Sequence, residues 1–171
     1  MIENILIIDT ETTGLDPGKG AQVIEIAAVL FNLKHKSVLQ SYATLLPCDE
    51  NPVENINHIK AEATRANYSQ FSMLWILGMF DYAQACVAHN AQFDMKFIET
   101  LDKGDVLLNK KWICTKKDFK WPVPLPRNRL QDICEAMGVQ YLNAHRALAD
   151  CLLLAQCFEK VEDLEERFNR C

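Results

Sequence analysis

Residues 5–8 set four branched apolar side chains in succession, Ile5 to Ile8, a pattern that marks a strand covered on both faces. The run stops at Asp9, which puts a carboxylate at the rim of a core. Pro17, Gly18 and Gly20 separate this strand from a second apolar stretch over 22–32. A third, 37–47, follows the basic turn Lys34-His35-Lys36, so the first three strands read as a meander. The polar segment 48–58, with Pro52 inside it, reads as a loop. Helices are predicted over 59–66 and 70–80, the second almost wholly apolar and so expected to pack in the core. Residues 84–90 give a fourth strand. Beyond it Phe93, Phe97, Ile98 and Leu101 recur at helical spacing, with Asn90 placed as N-cap. A fifth strand is expected at 111–115, and the proline-rich stretch 121–128 is irregular. A helix then ends on Gly138 as its C-cap, and the last long helix covers 146–160. The acidic tail 162–171 adds a turn or two. This order predicts a single α/β domain over residues 1–171, a mixed sheet with helices on both faces.

Composition narrows the setting. With 171 residues and 49% apolar side chains the chain can bury a substantial core. A net charge of −5 is wrong for a passive nucleic-acid coat. Charge is unevenly spread, however: residues 110–129 hold Lys110, Lys111, Lys116, Lys117, Lys120, Arg127 and Arg129 against one acid, Asp118. The seven cysteines form no C-x-x-C pair, which argues for reduced thiols in a cytoplasmic protein. Four histidines without ligand spacing disfavour a zinc hydrolase. There is no basic and apolar leader, and no apolar run reaches the ~18 residues that a membrane span needs, so no membrane partner is expected.

Candidate chemistry begins at DTETTGLD, residues 9–16. In an extended chain Asp9 and Glu11 point the same way, and two close carboxylates repel unless a cation stands between them. The simplest cation is magnesium or manganese, which take oxygen ligands. Asp94, in HNAQFD, falls in the first turn of a helix, where a carboxylate is favoured. Asp150 is the lone polar residue between Ala147 and Ala155, so it reads as a mid-helix acid in need of a positive partner. His145 lies five residues earlier, and on a continuous helix the two would be about 140° apart. Convergence on one site therefore requires His145 to precede the helix.

DTETTGLD, HNAQFD and HRALAD, in that order and spacing, resemble the three motifs of the DEDDh group of 3′ to 5′ exonucleases, which includes the proofreading subunit of bacterial replicative DNA polymerase. The resemblance covers roughly residues 4–158. It implies the ribonuclease-H-like exonuclease fold, five strands with the second antiparallel. It also implies Asp9, Glu11, Asp94 and Asp150 as metal-binding acids and His145 as general base. Thr10, Thr12, Thr13, Leu15, Ile59 and Asn90 are the implied substrate contacts. Asn57 stands where relatives usually carry a histidine. Two Mg²⁺ or Mn²⁺ ions are the implied cofactors: Asp9 bridges them, Glu11 and Asp150 join one side, and Asp94 reaches the other through water. The implied partner is the 3′ end of DNA, with a polymerase or repair protein beside it. RNA hydrolysed by the same mechanism is the alternative, since the acids do not read the sugar.

Overall fold

The computed structural model describes residues 1–66, 69, 72–101, 104–142 and 145–171. In it the N-terminal apolar run is the heart of strand β1 (Asn4–Thr12). The strand does not stop at Asp9, because Asp9, Thr10 and Glu11 stay in register with Ala27, Ile26 and Glu25 of β2 (Val23–Asn32). Ladder hydrogen bonds are made by the backbone, so polar side chains do not end them. Strand β3 (Ser37–Leu45) completes the antiparallel meander. Strands β4 (Ala85–Ala88) and β5 (Lys111–Cys114) join parallel on the other side of β1, giving the order β3-β2-β1-β4-β5. This is the expected mixed sheet, with β2 running against β1, β3 running against β2, and β1 parallel to β4.

Eight α-helices are seen among the described residues: α1 (Glu54–Asn57), α2 (Ala61–Ala66), α3 (Ser72–Tyr82), α4 (Ala91–Ile98), α5 (Gly104–Leu108), α6 (Leu130–Met137), α7 (Ala147–Glu159) and α8 (Leu164–Arg170). Alternation along the central strands builds two cores. Ile5, Ile7, Ala27, Val29 and Phe31 meet Ile133 of α6, Cys151, Leu154 and Phe158 of α7, and Phe168 of α8. Leu6, Ile8, Ile26, Ala28 and Leu30 meet Ile76 and Phe80 of α3, Phe97 of α4 and Leu107 of α5. Helices therefore cover both faces, and this explains why β1 and β2 are apolar almost without interruption.

Several expectations change. The segment 48–58 is not all loop, since α1 forms within it and closes on His58 at φ 57°. Helix α5 has no counterpart in the sequence reading; five residues are too few for a period to register. Helix α3 buries only one side: Met73, Ile76, Met79 and Phe80 face the sheet, while Leu74, Trp75 and Tyr82 are exposed. Residues 70 and 71 of that expected helix lie outside the described residues. Asn90 sits at φ 75° and offers α4 no side-chain cap, its carbonyl accepting from the Phe93 amide instead. All seven cysteines are free, and among the described residues no helix is long and apolar enough to cross a membrane.

Candidate active site

Asp9 and Glu11 share the face of β1 that carries Ile5 and Ile7, the face that α7 covers. Asp150 arrives there from α7, and oxygens of Asp9, Glu11 and Asp150 lie within 4.8 Å of one another. Asp150 is not mid-helix: it occupies the first turn of α7, its amide donating to the Arg146 carbonyl at 3.0 Å. Its Oδ1 is buried with no hydrogen-bond partner among the described residues. An anionic oxygen in that condition is costly unless a cation meets it. Three converging carboxylates are the donor set that hard divalent ions take, so the residues present fit such an ion.

Burial and crowding raise the proton affinity of Asp9, Glu11, Asp94 and Asp150. Burial, then repulsion from Asp94, Asp150, Glu11 and Glu25, holds the Asp9 carboxyl well above the usual carboxylate range. Glu11 is pushed up to about 8 by burial, Asp150 and Glu25, against the pull of Arg146. Burial raises Asp150 to about 6, opposed by His145. Asp94 is fully buried in the first turn of α4, and burial raises it to about 7. Thr10 opposes that shift by donating twice to Asp94 Oδ1, through its hydroxyl at 2.8 Å and its amide at 3.1 Å.

His145 precedes α7 by two residues at φ 66°, exposed, so the angular separation of a continuous helix does not apply. Thr12 donates its hydroxyl to the Gly14 carbonyl at 2.6 Å, and the Thr13 hydroxyl accepts from the Gln22 amide at 2.9 Å. Leu15 is 88% exposed, beside a shallow cavity of about 420 Å³ that Thr13, Gly14 and Pro52 also line. Ile59 is turned into a small cluster with Ile24, Cys48 and Ala61, and Asn90 is half-buried at the start of α4. Asn57 is buried: it donates to the Thr12 carbonyl at 3.3 Å and accepts from Asn51 and the Ile59 amide. It thereby pins the segment before α2 to the end of β1.

Two neighbours escaped the sequence reading. Glu25 is buried on β2, directly opposite Glu11, and Tyr141 has its phenol pushed up to about 12 by burial and Asp150. Glu25 carried a usable signal, a single acid inside an apolar strand, the same signal that drew attention to Asp150. Tyr141 carried none.

The part of the basic segment that follows Cys114 leaves β5 at its carboxyl end, the end of the sheet that also carries the acids, whereas Lys110 and Lys111 stand at its amino end. Lys110 is spent internally, donating to the Phe80 carbonyl and sitting over its ring, and Arg129 forks onto Asp132 at 2.9 and 3.0 Å. Lys117 donates to Gln92 at 2.8 Å; Lys116, Lys120 and Arg127 are exposed and make no ion pair among the described residues.

A family model described as Exonuclease matches residues 6–158. The PolC-type DNA polymerase III of Thermotoga petrophila is 27% identical over 174 residues, which take in 96% of this chain and 12% of that protein's length. The DNA polymerase III subunit epsilon of Rickettsia typhi is 28% identical over 163 residues, 90% of this chain and 71% of the subunit. Exonuclease X, solved in complex with 5′ overhanging duplex DNA, superposes with a TM-score of 0.68 at 23% identity, over 96% of this chain and 98% of that one. That superposition shows the shared fold, the one that the resemblance of the three motifs implies.

Proposed function

The chain belongs to the exonuclease family whose model spans residues 6–158, and from that premise we propose that it is a metal-dependent 3′ to 5′ exonuclease releasing 5′-mononucleotides from DNA. The observation that carries the proposal is the convergence of Asp9, Glu11 and Asp150 within 4.8 Å, with one Asp150 oxygen lacking a hydrogen-bond partner among the described residues. Asp9, Glu11 and Asp150 hold divalent metal, and Asp94, buried beside Asp9 and fixed by Thr10, completes the set of acids. Two Mg²⁺ or Mn²⁺ ions bound there would supply charge neutralisation at the scissile phosphate and a water of lowered pKa.

His145 takes the proton of the attacking water. It is exposed, adjoins Asp150 electrostatically, and belongs to the residue type that accepts protons near neutral pH. Leu15 offers apolar surface to the terminal base, and the Thr13 to Leu15 segment beside it lines the cavity for the end of the strand. Lys116, Lys117, Lys120 and Arg127 hold phosphates further along, adding salt-dependent affinity without reading sequence. The names of the two polymerase relatives suggest a DNA polymerase assembly as the setting.

Release of nucleotides from a labelled single DNA strand tests this, with magnesium, manganese or chelator. Chelator and Asp9→Ala each abolish digestion, and His145→Ala slows it by about 10²- to 10⁴-fold, the usual worth of general-base help. Undiminished digestion by the Asp9→Ala protein overturns the metal reading. A ribo-oligomer of equal sequence, turned over faster than the deoxy strand, reassigns the substrate to RNA.

A further inference from the structure

The residue before α7 that would carry the proton and the acid within its first turn are linked through one buried carboxylate on the opposite side of the site. Glu25 is 3% exposed, near the start of β2, an interior strand of the sheet. Its Oε1 accepts from Arg146 Nη2 at 2.6 Å and its Oε2 from Arg146 Nε at 3.1 Å, a two-point fork. The same Oε2 accepts the Ala147 amide at 2.9 Å. Arg146 is the N-cap residue of α7, offers it no side-chain cap, and follows His145, whose left-handed φ of 66° is unusual for a side chain with a Cβ. One carboxylate thus satisfies a free amide at the start of α7, anchors the residue in front of it, and fixes the backbone from which His145 projects.

The placement has a cost that stability alone does not explain. A fifth carboxylate stands opposite Glu11 and adds its repulsion to Asp9, Glu11 and Asp150. A Ser or Asn at position 146 could cap α7 from the helix itself, without another acid inside the site. What such a cap could not do is tie the His145 segment to the strand that pairs with the strand bearing Asp9 and Glu11.

We propose that Glu25, through Arg146, is a positioning residue for His145, holding the imidazole in reach of the water that the acids face. This rests on the reading of His145 as general base. It differs from a role for Glu25 in metal binding, since both Glu25 oxygens are already engaged by Arg146 and Ala147.

The test is a double-mutant cycle on the full chain, with Glu25→Gln measured alone and in the His145→Ala background. Glu25→Gln keeps the shape and an acceptor oxygen but loses the charged fork. It should lower kcat by about 10- to 100-fold, the usual consequence of losing a partner that orients a reacting group. KM for the strand and the magnesium concentration giving half-maximal rate should stay within about twofold, and in the His145→Ala background the same change should cost less than about twofold, as expected of residues acting as one unit. An equal loss in both backgrounds, or no loss in the native one, overturns the proposal. If Glu25→Gln does not fold, Arg146→Lys is read by the same cycle, since it keeps the charge and loses the fork. Should His145→Ala itself run at full rate, the general-base reading falls and this inference with it. Should His145→Ala be slow while Glu25→Gln is not, only the positioning role is lost.

Discussion

Thr10 and Asp94 illustrate how one hydroxyl conditions a buried acid. Asp94 is 2% exposed, and Thr10 supplies both hydrogen bonds to its Oδ1. Thr10→Val keeps the shape and removes the donating hydroxyl. Stability should fall by about 1–3 kcal/mol in denaturant unfolding at neutral pH, the penalty for leaving a buried charged group short of a partner. The acids as a group make a second prediction. Glu11, Asp94 and Asp150 bind protons up to about 8, 7 and 6, all above ordinary carboxylates. Because the folded state holds these protons more tightly than the unfolded chain, their stabilising share is complete below about pH 4 and is lost as pH climbs toward 8. In chelator the melting temperature should therefore drop between pH 5 and pH 8, and magnesium should restore more of it at pH 8 than at pH 5. A melting temperature indifferent to magnesium at pH 8 would contradict an ion among these carboxylates.

Elements in this chain are held by close approaches at their ends as much as by their apolar faces. Helix α5 opens on Gly104, whose amide donates to the Leu101 carbonyl at 3.0 Å, and a Cβ built there would come within 1.8 Å of the Ile98 carbonyl oxygen. That oxygen belongs to backbone at the end of α4 and cannot rotate away. Gly104→Ala should accordingly cost about 1–3 kcal/mol in denaturant unfolding, a crowding penalty rather than a loss of contact. A neutral or stabilising result would mean that α4 and α5 separate freely. The same tightness accounts for what the periodicity reveals and conceals. Helices α6 and α7 stand out because their apolar faces are long and their ends carry signals, Gly138 at φ 68° for the first of them. Helices α1 and α5 span four and five residues and owe their form to what surrounds them.

Across the whole molecule the C-terminal third is bound to the sheet by aromatic packing. Phe158 of α7 lies 5.4 Å from Phe119, 5.4 Å from the stacked ring of Trp121, 5.1 Å from Phe168 of α8 and 6.1 Å from Phe31 of β2. Phe158→Ala removes the shared member of all four contacts. It should cost about 3–5 kcal/mol in denaturant unfolding of the metal-free protein, with α8 losing hydrogen-exchange protection before the sheet does. The sequence by itself determined the central strands, the last helices and the three motifs that bring in Asp9, Glu11, Asp94, His145 and Asp150. The strands and helices follow from unbroken apolar runs, helical period and end residues, which are properties of short stretches of backbone, and the motifs are legible as a resemblance in wording, order and spacing. Only the tertiary structure decided that Glu25 faces Glu11, that Arg146 turns back to Glu25, that Asp150 enters at the first turn of its helix, and that α3 leaves Trp75 uncovered. Each of these depends on which strand lies beside which and on which face a helix presents. Such choices are made by contacts between separate elements, 121 positions apart in the case of Glu25 and Arg146, and local pattern does not encode them.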